Sequence, residues 1–453
     1  MKFSTLISLA AAATTASASY INYTTVTGYF LQDDPSTNPS TFVYYQEDFG
    51  LINRTYTGQG KAHGRSQWQK FYQELKRMNR ESPENVQYKV FFFGRHGEGY
   101  HNAAESFYGT PAWNCYWAEV NGNGTATWND PALTPNGISQ AQIAHKYWQT
   151  LIDEEKIHTP DAYYVSPLTR CLQTVDITFS GLDMPHPSAE FKPIVKELLR
   201  EGISIHTCDN RRSKTYIRNL YPEWTIEEGF TENDEYWNGI SEETSSSQAI
   251  RSKKALDQIF TELNNVEESD CEPAGDNLFV SVTSHSGEIS SLLSVLGHRP
   301  FRLATGAVIP VLVRAETMKK TVPTACQTWA VNPHCTAPPV TSADVCVCSA
   351  SATPVTTPLV TITSEPPTVT ATLMLVYNHF SPSEFFENIP DESICLFLFL
   401  IPGAHTNLQP AERFILDTLP VYETCSIRLV GFAKPKSLHA SVSSALTVLV
   451  YME

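Results

Sequence analysis

The sequence predicts an α/β fold: a three-layer αβα sandwich on a mainly parallel, open sheet, followed by a low-complexity C-terminal extension. Three observations carry this. From about residue 86 to residue 316, short apolar runs alternate with amphipathic stretches, the pattern of strand–helix units whose sheet is covered on both faces. Tyr88 to Phe93 is apolar and aromatic except for Lys89, as in a strand buried on both faces. Beyond Lys320 charge almost disappears, and residues 321–383 carry only Asp344 and Glu365 among many Thr, Pro and Ser.

The elements follow in order. Met1-Lys2, an apolar run from Phe3 to Ala13 and then Ala16-Ser17-Ala18 have the charge, length and small-residue site of a secretory leader, assigned to residues 1–18. The main folded domain is placed at 19–316. After the Tyr88–Phe93 strand, Thr134 and Pro135 suit the N-cap and first turn of a helix whose stripe is Ile138, Ala141, Trp148 and Ile152. Ala162 to Val165 is a second strand, with Ser166-Pro167 read as the cap and first residue of the helix from about Leu168. Gln248 to Leu263 is helical, Leu278 to Thr283 is a third buried strand, Ile289 to Leu296 is helical, and Ala307 to Val313 is the last strand. Residues 317–383 read as a Thr/Pro/Ser/Cys-rich linker or O-glycosylated stalk. Residues 384–453 carry apolar runs without period or caps and receive no fold.

Net charge is −16 and the pI about 5.3, which opposes binding to nucleic acid or anionic lipid. The leader is too short to span a membrane and no other run reaches that length, so the mature protein is expected to be soluble and either secreted or cell-wall associated. Asn22-Tyr23-Thr24, Asn53-Arg54-Thr55 and Asn123-Gly124-Thr125 are glycosylation sequons. Ten cysteines fit an oxidising compartment. Cys115, Cys171, Cys208 and Cys271, the four before the extension, allow three pairings among themselves.

Chemistry concentrates at the ends of the strands. Arg95-His96-Gly97 follows the first buried strand, Arg170 lies in the first turn after the second, and His285 follows the third in Ser284-His285-Ser286-Gly287. Open α/β sheets bind ligands at the carboxyl ends of their strands. Each motif alone also occurs in ordinary surface loops, but together they deliver two guanidiniums and two imidazoles to one edge, which suits a phosphate.

These residues resemble the histidine phosphatase superfamily, in its phosphoglycerate-mutase-like branch. The resemblance rests on Arg95-His96-Gly97-Glu98 with Asn102 downstream, Leu133-Thr134-x-x-Gly137-x-x-Gln140-Ala141, Ser166-Pro167-Leu168-x-Arg170-x-x-Gln173-Thr174, Leu199-Arg200-Glu201 and Ser284-His285. It implies a nucleophilic His96 that takes up the phosphoryl group, with Arg95, Arg170 and Asn102 gripping its oxygens and His285 as the second histidine. Glu201 would protonate the leaving oxygen and then activate water. It implies no metal and no cofactor, and a small phosphorylated substrate as partner. Three departures stand out: Gly99 replaces a small hydroxyl residue, His101 replaces the aromatic before Asn102, and the usual Gly-x-x-x-Gly-type continuation after Glu201 is absent. Asp209 and Glu98 therefore stay open as alternative acids. His206, Arg211 and Arg212 are candidates either for the substrate mouth or for a solvated basic turn.

An exported chain lacks the intracellular pool that a glycolytic mutase needs, so the expected activity is a secreted phosphomonoesterase working through His96. Phosphoglycerate-mutase-type transfer, and a non-catalytic glycosylated surface protein on the same fold, are the alternatives. No Cys has an Arg six positions later, and there is no G-x-S-x-G or H-E-x-x-H, which excludes cysteine-phosphatase, serine-hydrolase and zincin motifs.

Overall fold

A computed structural model describes residues 20–57, 64–184, 190–264, 277–319, 326–331, 334–339, 348 and 357–360, with the backbone of two short strands further on. The leader, Cys271, most of the 317–383 stretch and nearly all of 384–453 lie outside the described residues. The chain divides into two compact units, Met1–Glu365 and Pro366–Glu453. The described part of the second is an antiparallel strand pair, Leu373–Leu375 with Leu446–Val448.

In the first unit the order is β1 (Tyr20–Thr25), α1 (Gln67–Glu81), β2 (Val86–Arg95), α2 (Tyr100–Tyr108), α3 (Thr110–Cys115), α4 (Pro135–Thr150), β3 (Ala162–Val165) and α5 (Thr169–Phe179). It continues with β4 (Ile194–Val195), α6 (Lys214–Leu220), β5 (Thr225–Ile226), β6 (Ser241–Glu243), α7 (Ser245–Asn264), β7 (Phe279–Ser284), α8 (Ser286–Val295), β8 (Val308–Met318) and β9 (Trp329–Val331). Seven strands form one sheet in the order β1-β8-β2-β7-β3-β4-β5. From β2 to β5 the pairing is parallel, and the sheet has helices on both faces, as the strand–helix alternation requires. The last strand differs from its neighbours: β8 lies inside the sheet, antiparallel to β1 and β2. The loop after α8 returns to the carboxyl edge, where Gly306 N–H donates to the His96 carbonyl at 2.9 Å, so β8 must start there and run back.

β2 shows why an unbroken apolar run is needed. Val90 and Phe92 enter one core with Trp68, Phe71 and Trp148, whereas Phe91 and Phe93 enter the opposite core with Leu256, Phe260 and Leu292. Alternate side chains of a strand point to opposite faces, so both registers must be apolar. β1 and α1 lie in a stretch to which the sequence reading assigns no element. Ser66 caps α1 by accepting from Gln69 N–H, and Trp68, Phe71 and Leu75 bury one face.

Several local expectations change. Thr134 caps α4 as expected, accepting from Gly137 N–H at 3.1 Å. Ser166 does not cap α5. That helix starts at Thr169, whose N–H and hydroxyl both donate to Asp130, at 2.8 and 2.7 Å. The cap is thus supplied from 39 residues upstream. None of the three pairings that would use all four early cysteines forms, because Cys171 and Cys208 are buried free thiols; Cys115 is disulfide-bonded. In the Thr/Pro/Ser-rich stretch Cys335 is joined to Cys348. The described part of that stretch packs on the domain. β9 pairs with β6, Cys335 N–H donates to Cys115 O at 2.9 Å, and His334 lies 2.7 Å from Glu119, both buried. Among the described residues no helix is long and apolar enough to cross a membrane.

Candidate active site

The sheet order brings the chemistry together. β2, β7 and β3 are neighbours, with Arg95 opposite Ser284 and Val165 opposite Thr283. The next residues, His96, His285 and Ser166, therefore emerge side by side at the carboxyl edge. The backbone continues the register: His96 N–H donates to Ser284 O, and Ser166 N–H to Thr283 O, both at 3.0 Å. The His96 and His285 rings are 5.1 Å apart between centroids, and both are fully buried.

The Arg95-His96-Gly97 turn is held by the remaining motif residues. Gly97 N–H donates to Thr174 Oγ1 at 3.0 Å, Glu98 N–H to Gln140 Oε1 at 2.8 Å, and Leu133 N–H to Gln173 Oε1 at 2.8 Å. Gly97 and Gly137 lie backbone to backbone. A Cβ on Gly137 would fall 2.1 Å from Glu98 O, and one on Gly97 would fall 2.4 Å from Gly137 O. Glu98, a candidate acid, is occupied elsewhere: its carboxylate accepts from Thr134 Oγ1 at 2.7 Å and Asn136 Nδ2 at 3.1 Å, tying the loop to the start of α4.

His96 Nδ1 lies 2.6 Å from Gly97 O. A carbonyl only accepts, so Nδ1 carries the proton and Nε2 keeps the lone pair. Burial, then Arg170 and Arg95, hold His96 well below its usual pKa. Burial and Arg170 do the same to His285. His285 Nε2 is 2.7 Å from Ser166 Oγ, a partner that the reading of Ser166 as a cap missed. Cys171 Sγ is 3.3 Å from the same nitrogen and donates to Ser284 O; burial pushes its thiol far up.

Arg95 donates to Leu303 O at 2.8 Å and Arg170 to Cys208 O at 2.7 Å. The Nε of each is buried with no partner among the described residues. Buried polar groups are ordinarily paired, so two cationic donors left over at one strand edge are what an anion site requires. Asn102 uses Oδ1 to accept from Gly99 N–H at 3.0 Å, which turns its Nδ2 into the remaining donor.

Glu201 sits across the start of α8. Its Oε1 accepts from Gly202 N–H at 2.9 Å and Glu288 N–H at 3.0 Å, and its Oε2 from Gly287 N–H at 3.2 Å. A Cβ on Gly287 would fall 2.4 Å from Oε1, so this glycine makes the docking possible. Arg251 holds the segment, donating to Leu198 O and Arg200 O at 2.8 and 2.9 Å. Asp209, the other candidate acid, is buried, accepts from Ser204 Oγ and faces Arg170 at 3.6 Å; burial raises its pKa. His206, Cys208 and Asp209 bring potential metal-ligating atoms within 4.8 Å of one another. Ser204 and Arg170 already occupy this carboxylate, and the Cys208 carbonyl is bound to Arg170, so Cys208 and Asp209 form a hydrogen-bonded clasp on Arg170.

Two expectations about the basic turn are corrected. Arg211 neither lines a mouth nor lies in solvent: it is buried, pairs with Glu197 at 2.7 Å and donates to the carbonyls of Thr231 and Asn233. Arg212 is also buried, with its Nε 3.7 Å from Asp130. His206 stays beside the site, 6.2 Å from Trp113 between ring centroids. Near it Trp113, Trp128, Ala104, Ala118 and Cys208 form a small core, so these two indoles serve packing.

A probable phosphoglycerate mutase of Arthroderma benhamiae is 46% identical over 300 residues, covering 66% of this chain and 85% of that protein. Phosphomutase-like protein 3 of Candida albicans is 39% identical over 235 residues, covering 52% and 68%. A probable phosphoglycerate mutase of Saccharomyces cerevisiae is 29% identical over 292 residues, covering 61% and 94%. Residues 91–306, from within β2 to the turn before β8, match the histidine phosphatase superfamily, branch 1. The chain belongs to that superfamily, as an enzyme of its phosphatase or mutase type.

Proposed function

We propose that the chain is an exported phosphomonoesterase that hydrolyses a small phosphate ester through a phosphohistidine on His96. The observation that carries this is the fixed tautomer of His96: Nδ1 is bound to Gly97 O at 2.6 Å, which leaves a bare Nε2 beside two unpaired guanidinium nitrogens. In the first step the Nε2 lone pair attacks phosphorus and the ester P–O bond breaks. The leaving oxygen takes a proton from Glu201, whose Oε2 accepts one backbone N–H and so keeps a lone-pair site for that proton. In the second step Glu201 takes a proton from water, the water oxygen attacks phosphorus, the P–N bond breaks and phosphate leaves. Arg95, Arg170, Asn102 and His285 meet the charge that builds on the equatorial oxygens.

Exposed sequon asparagines at 22, 53 and 123 and the Cys335–Cys348 disulfide support export, and with it hydrolysis. The names of the relatives favour a second reading, phosphoryl transfer to a phosphoglycerate. One experiment separates the two. The chain is labelled from a phosphate monoester, quenched, and examined for an acid-labile, base-stable label on His96; the labelled protein is then offered water alone or a phosphoglycerate. Label released as inorganic phosphate at the same rate in both supports the hydrolase. Label passing to the phosphoglycerate supports the mutase, and no label at all would end the phosphohistidine reading.

The acid side of the pH profile is a second check. His96 has a lowered folded-state pKa, so the nucleophile stays neutral through the pH range in which a free imidazole would protonate. With substrate ionisation allowed for, kcat/KM is expected to show no inflection near pH 6.5, the ordinary imidazole value, and to fall only at lower pH. An inflection at the ordinary imidazole value would mean that His96 is not the titrating nucleophile.

A further inference from the structure

The site holds an imidazole that these roles leave unused. His101 lies on the first turn of α2, and its ring centroid is 5.4 Å from that of His96. With the His285 ring 5.1 Å from His96, three imidazoles meet at one strand edge. Its ring rests against Gly99, where an added Cβ would fall 2.7 Å from Nδ1 and 2.9 Å from Cε1. The φ of Gly99 is −96°, which any residue adopts, so glycine stands there for space. Gly99 and His101 are therefore a single coupled feature.

His101 Nδ1 is buried and has no hydrogen-bond partner among the described residues. Burial first, then Arg170, His96 and Arg95, hold the ring well below its usual pKa, so it is neutral and carries one proton. An unpaired buried donor is rarer than an unpaired buried acceptor, which puts that proton on Nε2. The residue as a whole is only half-buried. A neutral donor is thus presented beside the nucleophile and both guanidiniums.

We propose that His101 is a third imidazole of the substrate site, donating from Nε2 to an oxygen of the phosphoryl group under attack, and that Gly99 is there to admit it. This rests on the reading of His96 as nucleophile. The chemistry is that of an added neutral donor, which strengthens binding as equatorial charge grows without adding a cation that would hold product phosphate.

The test is a cycle of variants of the full chain, assayed on a chromogenic phosphate monoester, with thermal unfolding read for each. His101→Phe is expected to lower kcat/KM by about 10²-fold through kcat. His101→Gln, which keeps an N–H donor of similar reach, is expected to recover at least tenfold of that. Gly99→Ser is expected to be as damaging as His101→Phe, because its Cβ expels the ring. In the His101→Ala background, Gly99→Ser is expected to change the rate by less than about twofold. Activity of His101→Phe within about threefold of wild type, or full additivity of Gly99→Ser with His101→Ala, would overturn the proposal. If His101→Phe fails to fold, the His101→Gln comparison and the Gly99 cycle decide. His96→Ala runs alongside: should it be active, the phosphohistidine reading itself falls, whereas an inactive His96→Ala beside a fully active His101→Phe removes His101 alone.

Discussion

Replacing His96 with alanine is expected to cut kcat by about 10⁴-fold or more and to leave the protein folded. No other group at the edge is placed to take the phosphoryl group: the His101 ring rests with Nδ1 against Gly99. Cys171 is a nucleophile by type, but burial keeps its thiol protonated. His285 has Nε2 against Ser166 and Cys171, and Asp209 is bound to Ser204. The substitution removes one hydrogen bond, to Gly97 O, worth about 1 kcal/mol, so the thermal midpoint should move by only a few degrees. His285→Ala, which removes a donor and leaves the nucleophile in place, should cost less, about 10²-fold to 10³-fold. A residual rate in His96→Ala above one part in a hundred would show that the phosphoryl group does not pass through this residue.

Replacing Arg200 with alanine is expected to destabilise the domain by about 3–5 kcal/mol and to lower its thermal midpoint by roughly 10 °C. Arg200 is fully buried. It holds Asp234 through two hydrogen bonds, at 2.8 and 2.6 Å, and Glu197 at 3.0 Å, and it also donates to the Asp209 carbonyl. Removing it leaves the Asp234 carboxylate uncompensated in the interior, and breaking such a pair from one side costs far more than the pair contributes. Arg200→Ala combined with Asp234→Ala should therefore be less destabilised than the sum of the single variants. Additive losses would show that Arg200 acts through packing alone. Because Arg200 anchors the carbonyl of Asp209, which clasps Arg170, part of the activity is expected to be lost with it.

The residue string by itself determined the central strands of the sheet and the ends that matter. Phe91 and Phe93 on one side of β2, and Val90 and Phe92 on the other, require two covered faces, and that requirement is local to the strand. Arg95, His96, Arg170 and His285 were legible as a set because each directly follows or closely follows a buried strand. The motif glycines were legible as glycines, but their reason was not: Gly137 faces the Glu98 backbone, 39 residues upstream, and Gly99 yields its space to a ring two residues on. Tertiary structure alone decided that Asp130 rather than Ser166 caps α5, freeing Ser166 for His285. It alone placed Arg211 inside an ion network, left Cys171 and Cys208 as free thiols and brought His101 to the nucleophile. Hydrophobic period and strand ends are set by neighbours along the chain, whereas the partner of a polar side chain is chosen by whatever the fold carries up to it, and spacing in sequence holds no record of that choice.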